Sequence, residues 1–116
     1  MLGYFLNMFR SEIENRVAKA VASMTRMVKR EAREKSWVRY YGSPEVDPAA
    51  LTFWVCVVTD KEKTRLKSHP TLVQDLRQQL KVHGYPAGAA DAVHIGVESQ
   101  ETVDRVSNGN WWGHWK

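Results

Sequence analysis

A chain of 116 residues holds one domain around one core, and its 43% hydrophobic and 26% charged residues lie in the ordinary globular range, which excludes general disorder. One cysteine excludes an internal disulfide framework and points to a reducing, cytoplasmic setting. The 17 Lys and Arg outnumber the 13 Asp and Glu, giving +4.

Met1 to Phe9 is apolar and aromatic, interrupted by Gly3 and Asn7. As a helix it would reach about 14 Å, half of a bilayer core, so it cannot span a membrane. Its first charge, Arg10, follows the apolar run instead of preceding it, which does not fit a secretory signal.

From Ser11 to about Lys35 the helical period is clear. Ile13, Val17, Ala20, Val21, Met24, Met27 and Val28 form one apolar stripe. Ser11 fits an N-cap, Glu12 and Glu14 suit the first turn, and Lys29, Arg30, Arg33 and Lys35 suit the end of the helix dipole. Arg16, Lys19, Arg26, Arg30 and Arg33 fall in an arc of about a hundred degrees beside the stripe. Residues 10–39 carry nine basic and four acidic side chains, so the local excess is +5 and the remainder of the chain is −1. A continuous helix over residues 2–35 would run about 50 Å, longer than a small domain is broad. It therefore breaks near residues 7–11 or projects to meet a partner, for which a second copy is the simplest choice.

Trp37 to Tyr41 reads as a short strand, and Gly42 to Pro48 as a loop. Leu51 to Thr59 (LTFWVCVVT) is the strongest strand signal and is apolar on both faces, so it belongs in the centre of a sheet covered on both sides. Cys56 is a core residue there, since a reactive thiol needs exposure and a cationic neighbour. Lys61 to Ser68 is a polar turn or short helix. Pro70 and Thr71 open a helix with Leu72, Val73, Leu76 and Leu80 on its buried face, Thr71 and Gln74 as a capping box, and Gly84 and Pro86 at its end. Ala87 to Ala90 reads as a flexible linker. Ala92 to Glu98 alternates with Val93, Ile95 and Val97 inward and His94, Gly96 and Glu98 outward. Ser99 caps a short helix through Val106, Asn108-Gly109 is a turn, and Trp111 to Lys116 is expected as an edge strand.

The fold expected is α+β: a long amphipathic helix in residues 1–36, followed by a compact body in residues 37–116. The body is read as a mixed sheet of about four strands with helices on one face, in the order α-β-β-α-β-α-β. His69, His83, His94 and His114 show no metal-ligand spacing with one another or with Cys56, so neither a metal nor a cofactor is expected. Glu101 and Asp104 would share a helix face as paired carboxylates, but with Arg105 alongside they read as surface charge. No catalytic set emerges. The function expected is therefore non-enzymatic: an inhibitor, immunity or adaptor-type protein that binds a protein partner. Its anchors would be Trp111, Trp112 and Trp115, and its pairing charges Arg16, Arg26, Arg30 and Arg33. The alternatives are a nucleic-acid-binding protein that uses the basic helix with aromatic stacking, and a membrane-surface protein that uses Met1 to Val28.

Overall fold

The computed structural model describes residues 11–115. The apolar segment 1–9, and with it much of the membrane-surface reading, lies outside the described residues, as does Lys116.

The first helix, α1 (Glu12–Glu31), starts where the sequence places it: Ser11 Oγ accepts the Glu14 amide at 3.1 Å. Its stripe is buried, with Val17, Ala20, Met24 and Val28 at the centre and Ile13, Val21 and Met27 at the margin. The helix ends four residues before Lys35, because its last polar residues have better partners elsewhere. Arg65 Nη2 donates to the Glu31 carbonyl at 2.6 Å, the Arg33 amide donates to Glu62 Oε2 at 2.6 Å, and Glu34 turns away toward the next strand.

Strand β1 (Ser36–Tyr41) pairs antiparallel with β2 (Thr52–Val57), which pairs parallel with β3 (His94–Ser99). The order β1-β2-β3 puts β2 in the centre, as its apolar faces require. A single 3₁₀ turn, Pro48–Ala50, precedes β2. The crossover from β2 to β3 holds three helices, α2 (Asp60–Lys67), α3 (Leu72–Val82) and α4 (Ala87–Ala92). After β3 come α5 (Gln100–Ser107) and the short α6 (Trp111–His114).

One core results. Val38, Phe53, Val55, Val57, Ile95 and Val97 on the first face of the sheet meet the α1 stripe, Leu66 of α2, and Leu72, Leu76 and Leu80 of α3. The described part of the amino-terminal helix thus belongs to the same core as the body.

Several expectations need correction. The mixed α+β architecture stands, but among the described residues the sheet has three strands. The expected fourth strand is the helical turn α6. Asn108 is left-handed (φ 52°) and Gly109 follows at φ 79°, so this pair closes α5 and does not make a hairpin. Asn110 Oδ1 then caps the next turn through the Gly113 amide at 2.9 Å. Helices also do not keep to one face, since α6 lies against the second. Ala87 to Ala90 is helical in α4, held by Arg77 Nη1, which donates to the Ala90 and Val93 carbonyls at 2.7 Å each. No capping box forms at Thr71, whose hydroxyl donates to Asp75 Oδ2 instead.

Candidate functional site

The second face of the sheet is built in three rows by strand register: Trp37–Cys56–Glu98, Arg39–Trp54–Gly96 and Tyr41–Thr52–His94. α6 lies on these rows. Trp115 stacks on Trp54, with centroids 4.9 Å apart and planes 8° apart, and Trp111 meets Trp37 edge-on at 5.4 Å. Gly96 makes room for this, because a Cβ there would fall 2.5 Å from Trp54 Cζ3. Trp111 Nε1 donates to Gln100 Oε1 at 2.7 Å. Trp111 and Trp115 are thus half-buried covering residues, one helical turn apart, on α6 and its C-cap and not on the expected edge strand. Trp112 is 57% exposed, against Tyr41 at 5.4 Å. Of the expected tryptophan anchors, it alone presents most of its surface outward.

Glu98 lies beneath this cover and is buried, contrary to its expected outward position. Its carboxylate takes Lys63 Nζ at 2.6 Å and the Ser99 amide at 2.9 Å, and faces His114 Nε2 at 2.8 Å. Burial by itself would raise this carboxyl, but Lys63, the Ser99 N–H and His114 together hold it below the usual range. His114 Nδ1 contacts Ser107 Oγ at 2.7 Å, which completes a hydroxyl–imidazole–carboxylate line. That line is a latch between α5, α6 and β3. The Asn108 and Gly109 amides beside Ser107 are spent on the Val103 carbonyl and that of Asn110 on the Ser107 carbonyl, so they make no oxyanion site. Cys56, buried on the same face, has its thiol pushed up to about 12 by burial, as the core reading requires.

At the carboxyl ends of the parallel strands, carboxylates serve as acceptors for backbone and hydroxyl groups. Glu34 takes the Val58 and Thr59 amides at 2.6 and 2.7 Å and the Thr59 hydroxyl at 2.7 Å. Asp60 accepts from Ser99, Thr102 and Arg105, which hold it well below the ordinary carboxylate range. Arg65, with help from the Arg33 amide, pulls Glu62 down to about 2. Glu101 accepts the Asp60 amide at 2.7 Å, whereas Asp104 accepts from Gln100, so these two carboxylates do not act as a pair.

The cations are distributed differently. Of the expected arginines, Arg16 is tied to the Gly84 carbonyl at 2.9 Å and to Glu12, and Arg26 to Ser23 at 3.1 Å. Arg30 and Arg33 are exposed, and their side chains, with those of Lys19, Lys29, Lys35 and Arg39, make no hydrogen bond or ion pair among the described residues. Arg33 lines a cavity of about 300 Å³ with Glu34, Thr59, Lys61, Glu62 and Arg65. Beyond Glu34, a shallower groove of about 460 Å³ is lined by Lys35, Trp37, Arg39, Gln100 and Trp111. Lys35 Nζ stands 5.8 Å from the Trp37 ring centroid, a cation–π distance. The structure therefore brings Trp111 beside Lys35 and Arg39, two cations that the helix-based reading left out. Their signal was the alternation of Trp37, Arg39 and Tyr41 on β1, which puts all three on one face.

Among the described residues, no group of three or more His, Cys, Asp or Glu is placed to hold a metal ion, and no helix is long and apolar enough to cross a membrane. No family model, curated protein or solved structure matches the chain.

Proposed function

We propose that this chain is a non-enzymatic interaction module that binds the acidic surface of a partner protein. Its binding face runs from the end of α1 through the groove beside β1. One observation carries the reading: Glu34 and Glu62 are consumed inside the fold, while Arg30, Arg33, Lys35 and Arg39 are exposed and their side chains make no hydrogen bond or ion pair among the described residues. Unpaired cations on a rigid surface steer and orient an anionic partner. Trp37, Trp111 and the exposed Trp112 supply the aromatic contact area that interfaces favour.

The same groove gives the nucleic-acid reading its one specific support, since two indoles between Lys35 and Arg39 are also a stacking platform. A pull-down from native lysate, run with and without nuclease, separates the two. A stoichiometric protein that survives nuclease and is lost with Arg33→Glu/Arg39→Glu supports the proposal. Co-eluting nucleic acid, or capture unchanged by the charge reversal, overturns it. Trp112→Ala is expected to weaken partner binding by about 1–2 kcal/mol, in the range of an interface anchor, with no change in circular dichroism.

A further inference from the structure

We infer that β1 is a docking edge for an acidic β-strand of the partner, a mode of binding that rests on the interaction-module reading above. β1 pairs with β2 on one side only, and among the described residues no backbone group bonds to its outer side. Six residues give about 20 Å of edge, along which alternate residues turn their N–H and C=O groups outward.

Edge strands are shielded by a covering element, a proline, a bulge or a charge. β1 contains no proline, and its pairing with β2 runs without a bulge from Ser36↔Val57 to Tyr41↔Thr52. Among the described residues its protection is charge alone: Lys35 before the strand and Arg39 within it, neither in an ion pair with a carboxylate. Those cations select the occupant. A second copy paired antiparallel about Val38 or Arg39 would set the two Arg39 guanidinium groups close together, which disfavours self-association through this edge. A strand with acidic residues at every second position would instead lay its carboxylates along Lys35 and Arg39. Its backbone would complete the β1 ladder, and its side chains on that face would lie along the groove lined by Trp37, Gln100 and Trp111.

The test uses the full chain, labelled with nitrogen-15, and an acetylated heptapeptide alternating glutamate and valine. Two twins of the peptide carry N-methyl groups on one or the other alternate set of amides. Expected are binding of the parent peptide, slowed hydrogen exchange at the outward β1 amides, and loss of more than about tenfold in affinity for only one twin, since only one set of amides faces the edge. Lys35→Glu/Arg39→Glu is expected to abolish that binding. Equal binding by both twins would overturn strand addition and leave an anion-binding protein surface standing. Failure of every peptide would also overturn it, and if a ten-residue oligothymidine bound at the groove instead, the protein-partner reading would fall as well. β1 amides already protected in the free protein would show the edge to be occupied, by a second copy if light scattering gives twice the monomer mass and by the chain itself if not. Either result overturns the inference.

Discussion

Replacing Glu98 by Gln keeps the side-chain shape and removes one charge from the latch beneath α6. The Glu98 side chain is 10% exposed and that of Lys63 20%, so the change strands an ammonium group that water reaches poorly. The Gln oxygen can still accept Lys63 and the Ser99 amide as Oε1 does, but it carries no charge for Lys63, and the Gln NH₂ then stands against His114 Nε2 where Oε2 stood. Removing one member of a fully buried pair costs about 3–5 kcal/mol, and the partial exposure of Lys63 lowers the expectation to about 2–3 kcal/mol. For a domain of this size that is a fall in Tm on the order of 10 °C. Urea unfolding at pH 7 measures it as a lower midpoint at unchanged slope. Lys63→Met in the same background is expected to restore part of the loss, because the stranded charge is then gone. The acid limb gives a second reading. Glu98 titrates below its unfolded value of 4.5, so its contribution is complete above that pH and fades as pH falls through the folded value. The Gln variant should therefore lose less stability than the parent below about pH 4.5. A variant within about 0.5 kcal/mol of the parent, or single costs that simply add in the double variant, would show that the latch is not an energetic unit.

Gly96→Ala would press a methyl group into Trp54 and part it from Trp115; a loss of about 1–3 kcal/mol and a changed near-ultraviolet tryptophan signal are expected, while an unchanged spectrum would contradict the stacking. Arg77→Ala would leave the Ala90 and Val93 carbonyls without their cationic donor, and calorimetry should show about 1.5–3 kcal/mol lost. Cys56, buried with its thiol pushed up to about 12, should react with a thiol reagent only as fast as the chain opens; rapid native labelling would refute its burial.

Local chemistry made much of the fold legible. The stripe from Ile13 to Val28 matched the buried side of α1, and Ser11 and Ser99 capped the helices expected of them. The end of α1 was not legible because Arg33 and Glu34 are good helix residues, and only Glu62 and the Val58 and Thr59 amides, far along the chain, draw them out of it. Alternation in β3 assigned Glu98 to the correct face, but "outward" there means beneath α6. The tail misled through propensity: tryptophans favour strands, yet a sheet face carrying Trp37, Trp54 and Tyr41 offers the Trp111 and Trp115 indoles more burial than an edge does. A clue was present, because a central strand apolar on both sides demands a second cover, and the aromatic tail could supply it.

The same division of labour explains why a modest formal charge supports a binding face. Glu34, Glu62, Glu98 and Glu101 all accept backbone N–H groups from other elements or from their own chain neighbour, so their charge is offset by dipoles fixed inside the fold. Lysine and arginine carry their charge on long stems and keep it in water, where Arg30, Arg33, Lys35 and Arg39 remain. A partner approaching β1 therefore meets these cations, while Glu34, Glu62 and Glu98 keep their carboxylates turned into the fold. The +4 of the whole chain understates the field on that side, and Arg39, at the middle of the edge strand β1, sits where that field and the strand's outer backbone edge, open among the described residues, coincide.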